Sequence, residues 1–347
     1  MSDSQSKFHL KSQQLSQQLI IQKYGGATLS NPEKIKQVAL RIAETKNQNK
    51  NIVAIVSAMG ETTNQLLALA NQVSKNPSPR ELDMLLSVGE RTSMALLTMA
   101  LNDVGCEAIS FTGSQAGILT DDSHIDANII DVKAFRVSEA LQKNKVVILA
   151  GFQGVSPITK EITTLGRGGS DTTAVAMAAH LNASHCEILK DVDSIFTADP
   201  KVVTGAKPIH QLNYEQLIEM TLLGAKFLHS KSASMAKEKN VKIYVGPAEH
   251  KNTEGSWISN EYTSKENKPL AINSSSSISK INSENLCSVS LTMTQKMTDE
   301  IKNKILAVLK NSSIEVQNTT ETLLSFEVSI TKKNKAKAVI LLHSLIY

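Results

Sequence analysis

The sequence predicts an α/β protein: a three-layer, mainly parallel sheet with helices on both faces, followed by a small C-terminal α+β module of ferredoxin-like type. Three observations predict it. Short apolar runs alternate with segments of helical period through residues 19–258, the pattern of strands buried on both faces. Several runs end in glycine or a small residue, namely Gly25-Gly26, Ser57 and Gly151. These ends should converge on the sheet edge where such folds bind ligands. After Trp257 the composition shifts to Ser, Asn and Lys, including Ser274 through Ser277, before pattern returns near residue 284.

In chain order, residues 1–18 are Ser- and Gln-rich and read as a flexible tail. Residues 19–24 are a buried strand. Ser30-Asn31-Pro32-Glu33 has capping-box spacing, and Ile35, Val38, Ala39 and Ile42 lay an apolar stripe on the helix that follows. A strand at 51–56 and a helix at 63–73 come next, then helix at 80–104, an extended run at 108–111 and helix at 132–142. A continuous apolar strand occupies 146–150, a helix 174–181 and a strand 187–189. Helices at 214–221 and 231–238 and a strand at 241–245 complete the main unit, 19–258. Residues 259–283 read as a linker. In the remaining unit, 284–347, strand 287–292, helix 298–310, strands 313–317 and 323–330, and helix 336–346 make a β-α-β-β-α module.

Composition excludes several classes. Of 347 residues, 41% are hydrophobic and 20% charged, an ordinary globular balance. Thirty-seven basic against 33 acidic residues give net +4, and 4% are aromatic. Neither the charge nor the stacking surface argues for nucleic acid. No apolar run has spanning or secretory length, so no membrane partner is expected. Three scattered cysteines, Cys106, Cys186 and Cys287, lack metal-ligand spacing and suit a reducing, cytoplasmic location.

The most informative stretch is Gly166-Arg167-Gly168-Gly169-Ser170-Asp171. A glycine-rich loop opening a helix presents free N–H groups and a partial positive charge to an anion. Arg167 adds a bidentate donor, and Asp171 a carboxylate that orders a lysine or a metal. Lys23-Tyr24-Gly25-Gly26 is either a plain turn or a phosphate cradle, in which main-chain amides approach the oxygens and Lys23 neutralises charge. Glu90 is either a surface residue or a carboxylate aimed into a cleft, where it would bind an ammonium while Arg167 holds the acid end of an amino acid. Asp191 to Lys201 follows a strand and carries three carboxylates without the calcium-loop glycine and glutamate, which favours a nucleotide-contacting loop. Lys226, after Gly224-Ala225, is either a solvated lysine or a second cation for phosphate.

Taken together these segments resemble the amino acid kinases and, within them, the aspartate kinases, over residues 22–258. The motifs are Lys23-Tyr24-Gly25-Gly26, Val56-Ser57-Ala58-Met59-Gly60 with Thr62-Thr63-Asn64, Pro79-Arg80-Glu81-Leu82-Asp83 and Gly89-Glu90. Gly113 to Ile118, Ala150-Gly151-Phe152-Gln153-Gly154, the 166–171 loop, Thr197-Ala198-Asp199-Pro200 and Gly224-Ala225-Lys226 follow in the same order. The resemblance implies transfer of the γ-phosphoryl group of ATP, with Mg²⁺ carried mainly by the phosphates, to the side-chain carboxylate of L-aspartate, the first step towards lysine, threonine and methionine. It implies Lys23, Asp171 and Lys226 as catalytic residues. Lys23, Gly25, Gly26, Asp191, Phe196, Lys201 and Lys226 would bind ATP. Ser57, Thr63, Glu90, Arg167 and Ser170 would bind aspartate, with no metal held by protein ligands alone. The tail departs most: the family commonly ends in two ACT modules, whereas 284–347 has room for one β-α-β-β-α unit, read as a reduced ACT-like regulatory or dimerisation module whose sheet edge would pair in a homodimer or higher homo-oligomer. Tyr24, Ala27 and Thr28 depart from the family's Phe, Thr and Ser, Lys190 from its usual Thr, Arg91 from Gln and Ser230 from Pro. The competing readings are a related kinase acting on another acid and a non-catalytic amino-acid-binding regulator.

Overall fold

The computed structural model describes residues 18–249, 254–276 and 285–347. The tail expected at 1–18 therefore lies outside the described residues except for its last position. Strand β1 (Leu19–Tyr24) leads into a 3-10 turn and helix α1 (Pro32–Asn47), then β2 (Asn51–Val56) and helices α2 (Thr62–Val73), α3 (Pro79–Leu86) and α4 (Val88–Asp103). After β3 (Ala108–Phe111) come β4 (Ile118–Thr120), β5 (Ile129–Val132), α5 (Phe135–Gln142), β6 (Val146–Ala150), β7 (Gln153–Val155) and β8 (Ile162–Thr164). Helix α6 (Gly169–His180), β9 (His185–Lys190), β10 (Gln211–Leu212), α7 (Tyr214–Leu222), α8 (Ser230–Lys239), β11 (Ile243–Pro247) and β12 (Ser256–Ile258) complete the main unit. Beyond it lie β13 (Pro269–Ser275), β14 (Leu286–Met293), α9 (Asp299–Asn311), β15 (Asn318–Glu321), β16 (Ser325–Thr331) and α10 (Lys335–Ile346).

The main sheet has the order β10-β12-β11-β9-β1-β2-β6-β3, with β9, β1, β2, β6 and β3 all parallel. Its side chains alternate between two cores. Ile21, Ile55 and Ile188 pack with α6 and α8 residues such as Val175 and Ala233, while Tyr24, Val56 and Leu189 pack with α1 and α4 residues such as Ile42 and Leu97. Each buried Ile or Leu contributes on the order of 2 kcal/mol from apolar transfer. From β1 the chain moves to β2 on one side and later to β9 on the other. Connections therefore leave β1 and β9 in opposite directions and open a crevice at their C-terminal ends.

Several local readings are corrected. The helix expected at 80–104 is two helices broken at Ser87, whose hydroxyl caps back onto the Met84 carbonyl. The break re-aims the chain before Glu90. Val132 ends strand β5 rather than starting a helix. Strands β5, β4, β7 and β8 form a second, four-stranded sheet that the sequence reading misses altogether. These segments are three or four residues long, too short for period-2 alternation to register. The first helix is capped by Asn31, whose side chain accepts the Lys34 N–H at 2.9 Å, in place of the Ser30–Glu33 box.

The segment read as a linker also holds structure. Strand β13 lies inside residues 259–283, of which 277–283 are outside the described residues. The C-terminal sheet runs β13-β14-β16-β15, all antiparallel. With α9 and α10 this is the ferredoxin-like, ACT-like arrangement, its edge position filled by a strand from upstream. The strand expected at 313–317 appears instead at Asn318–Glu321. Along β14, Cys287, Val289, Leu291 and Met293 face the helices, while Ser288, Ser290 and Thr292 lie buried on the other face. Helix α7 packs on β14 and its Gln216 amide donates to the Thr294 carbonyl at 2.8 Å.

Candidate functional site

The site forms where β1, β2, β6 and β9 end. The Ser57 N–H donates to the Tyr24 carbonyl at 3.1 Å and the Gly151 N–H to Val56 at 3.0 Å, so the strand ends lie side by side. Gly60 N–H donates to Gly26 at 3.0 Å. A Cβ on Gly26 would lie 2.7 Å from the Ala58 carbonyl oxygen, whereas one on Gly25 would stay 3.8 Å from Lys23 Nζ. The first glycine thus leaves room above the lysine, and the second lets two turns touch. Thr28, the hydroxyl next to Ala27, donates to the Gly25 carbonyl at 2.7 Å and is committed to holding this turn.

Lys23 points to the α6 side and its Nζ sits 2.6 Å from Asp171 Oδ1, both side chains 8% exposed. Asp171 comes from the first turn of α6, where the loop Gly166–Gly169 is shaped by positive φ at Gly166 and Gly168 (69° and 76°). A Cβ on Gly168 would fall 2.3 Å from the His229 Cβ, so the loop lies directly against the start of α8. Burial acts to raise the Asp171 carboxyl, but the positive charges of Lys23 and Lys190 with the Lys23 bond outweigh it and hold it below its ordinary value. The pair is a fixed ionic unit.

Glu90, brought in by the break before α4, is 3% exposed. Its Oε1 accepts the Ala58 N–H at 3.0 Å, and its buried Oε2 has no hydrogen-bond partner among the described residues. Burial pushes its pKa up to about 7, with main-chain amides including that of Ala58, and the Lys23 charge, acting in the opposite direction. A buried carboxylate with one oxygen unmatched is costly unless a cation completes it.

Other expected residues are placed less tightly. Ser57 and Thr63 are half-buried, and Ser170 is buried with its side chain where a Cβ on Gly151 would fall, 2.8 Å from the Ser170 Cβ. Arg167 is exposed on the glycine loop. Lys226 is exposed, and its carbonyl accepts from Lys190 Nζ at 2.8 Å. Asp191 lines a small cavity of about 70 Å³ with Ala27, Thr28, Lys190, Pro247 and Ala248, at the β1–β9 crevice. Phe196 is half-buried and Lys201 exposed on the loop after β9, whose Ala198 and Val203 enter the core beneath the C-terminal sheet. Thr197 in that loop bonds His343 Nε2 of α10 at 3.0 Å, and the Ile272 N–H of β13 donates to its carbonyl at 2.7 Å.

The sequence reading assigns no role to Asp83. It is fully buried and accepts from the Thr164 hydroxyl, the Ile125 N–H and His124 Nδ1, tying α3 to the strand that feeds the glycine loop. Its signal was only its place in the Pro79–Asp83 motif. Lys190, expected from its place before Asp191 to reshape nucleotide binding or reach a phosphate, acts electrostatically on Asp171 and is tied to the Lys226 carbonyl.

Residues 18–247 match the amino acid kinase family. An aspartokinase of Mycolicibacterium smegmatis is 52% identical over 227 residues, 65% of this chain and 54% of that protein. An aspartokinase of Bacillus sp. strain MGA3 is 44% identical over 249 residues, 72% of this chain and 60% of its own. The crystal structure of E. coli aspartokinase III in complex with aspartate and ADP matches with a TM-score of 0.67 at 23% identity, covering 92% of this chain and 80% of that one, a likeness of fold. The chain spans about half the length of the curated relatives it matches.

Proposed function

The chain belongs to the amino acid kinase family, and we propose on that premise that it transfers the γ-phosphoryl group of ATP to the side-chain carboxylate of L-aspartate, giving 4-phospho-L-aspartate and ADP. The observation that carries the reading is Glu90: a buried carboxylate with one unmatched oxygen, at the same strand ends as the Lys23–Asp171 pair. It supplies a seat for the α-ammonium of a free amino acid. Arg167, exposed on the glycine loop, reaches for the α-carboxylate. The side-chain carboxylate is then directed at the phosphates, and Ser57, Thr63 and Ser170 hold it in place. The similarity to aspartokinases supports aspartate over other acids.

A carboxylate oxygen attacks Pγ as the bond from Pγ to the bridging oxygen of ADP breaks. The nucleophile is already an anion, so no general base is needed, and alignment and charge stabilisation carry the rate. Lys23, fixed by Asp171, neutralises the charge spread over the moving phosphoryl oxygens. The amides at Gly25 and Gly26 face the same oxygens, and Lys226 approaches from the nucleotide side. The cavity by Asp191 takes part of the nucleotide, with Phe196 and Lys201 on the loop beyond. Mg²⁺ carried by the phosphates of ATP would supply neutralisation of their charge. Of the two buried carboxylates of the site, Asp171 is engaged with Lys23 and Glu90 is assigned to the ammonium, so neither is a metal ligand in this reading.

This reading includes self-association through the C-terminal sheet, whose exposed edge strand β15 is open to pairing, and a cytoplasmic location. Among the described residues no helix is long and apolar enough to cross a membrane. The direct test incubates the chain with MgATP, L-aspartate and hydroxylamine and measures aspartyl hydroxamate. Hydroxamate with aspartate supports the reading. Hydroxamate with glutamate alone, or ATP bound with no hydroxamate from any amino acid, would sink it.

A further inference from the structure

Lys190 ends β9, one residue past the Tyr24–Leu189 pair, and so stands opposite Gly25 of the phosphate-facing turn. Period-2 alternation puts Lys190 on the same face of its strand as Ile188, the residue paired with Lys23. Both lysines therefore face the α6 layer, and both act electrostatically on Asp171. Lys190 Nζ donates to the Lys226 carbonyl at 2.8 Å, and the residue borders the small cavity with Ala27, Thr28 and Asp191. An ammonium has three donors, and that bond uses one. The position is the switch-point crevice itself, where the polyphosphate of the proposed reaction must cross from the nucleotide side to Lys23.

We propose that Lys190 is a phosphate-binding residue of this site: its ammonium forms, with Lys23, a two-cation clamp on the terminal phosphates of the nucleotide, and its bond to the Lys226 carbonyl holds the 224–226 turn to the same sheet edge. The inference rests on the phosphotransfer reading for its ligand but does not depend on aspartate as acceptor. Around Asp171 the two cations Lys23 and Lys190 leave one positive charge in excess at the strand ends, where a terminal phosphate would sit; Lys34, Asp191 and Glu249 lie on the outer wall. Burial and the neighbouring Lys23 lower Lys190 to about 8, with Asp171 and Asp191 pulling the other way. The charged groups around it are Lys23 from β1, Asp171 from α6, Asp191 on its own connection, and Lys34 and Glu249 on the cavity wall. The clamp is thus charged below about pH 8 and loses that charge as pH rises through it.

Calorimetric titration of the full chain with MgADP and with the magnesium complex of adenylyl imidodiphosphate tests this, with no amino acid present. A charge-assisted bond to the terminal phosphate is worth about tenfold or more in affinity. Lys190→Met should weaken the imidodiphosphate complex by about tenfold and MgADP by roughly threefold or less, and Lys190→Arg should restore most of the difference. Wild-type affinity for the imidodiphosphate should fall above about pH 8, and this fall should be absent in Lys190→Met. Equal losses for both nucleotides would mean that Lys190 only braces the 224–226 turn, and would overturn the proposal, as would unchanged affinity or a wild-type chain that binds neither nucleotide. Normal nucleotide discrimination with no hydroxamate from aspartate would leave the clamp standing and remove only the acceptor.

Discussion

Replacing Glu90 by Gln should make the ligand-free protein more stable at alkaline pH while impairing aspartate binding. The carboxyl is raised from 4.5 to about 7 by its burial. Below pH 4.5 it is protonated in both the native and the unfolded chain and contributes nothing to pH dependence. Between 4.5 and about 7 the unfolded chain ionises first, so stability falls as pH rises, and above about 7 the loss levels off. At 1.36 kcal/mol per pH unit the gap amounts to about 3 kcal/mol. Glutamine keeps the acceptor for the Ala58 N–H but cannot ionise. The variant should match wild type near pH 4.5 and exceed it by up to about 3 kcal/mol at pH 8.5 in urea unfolding without ligands. Saturating aspartate should shrink that advantage to about 1 kcal/mol, because only the carboxylate completes an ion pair with the α-ammonium. That pair is worth about 2 kcal/mol, so the aspartate KM should rise roughly thirtyfold. It should also improve in wild type, but not in the variant, as pH rises through about 7. A Glu90→Gln protein destabilised equally at every pH, with an unchanged KM, would refute the assignment of Glu90 as an ammonium seat.

Two further outcomes follow from the same geometry. Gly26→Ala forces a Cβ to 2.7 Å from the Ala58 carbonyl oxygen, so the thermal midpoint should drop by several degrees and turnover should collapse; Gly25→Ala meets nothing closer than Lys23 Nζ at 3.8 Å and should keep the wild-type midpoint. If both melt like wild type, the close approach of the two turns is not a constraint. Arg167→Ala removes an exposed side chain, so circular dichroism melting should be unchanged while the aspartate KM rises about tenfold or more; an unchanged KM removes Arg167 from the site.

The alternation of apolar runs with helical stripes was enough to give the layered architecture, because strands such as Asn51–Val56 and Val146–Ala150 are buried on both faces and carry uninterrupted apolar sequence. The motifs likewise marked Lys23, Glu90 and Asp171 through their occurrence together and in order; taken alone, the Lys23 turn and Glu90 also read as a plain turn and a surface charge. Local sequence could not place what depends on remote partners. Strand β13 lies in a Ser- and Asn-rich run and becomes a strand only by pairing with β14. The small sheet from β4, β5, β7 and β8 joins segments of three or four residues across the chain. The Ser87 break inside an otherwise helical run is what turns Glu90 inward.

Sequence by itself determined the family, because the motifs from Lys23 to Lys226 appear in its order, and it named the residues from which the proposed chemistry is argued. Only the tertiary structure decided their states. It buried Glu90 with one oxygen unmatched, locked Lys23 to Asp171, and set Lys190 beside both across the β1–β9 crevice. Charge, burial and distance belong to neighbours tens to well over a hundred residues away along the chain, and the strand order that makes them neighbours is written in no single segment.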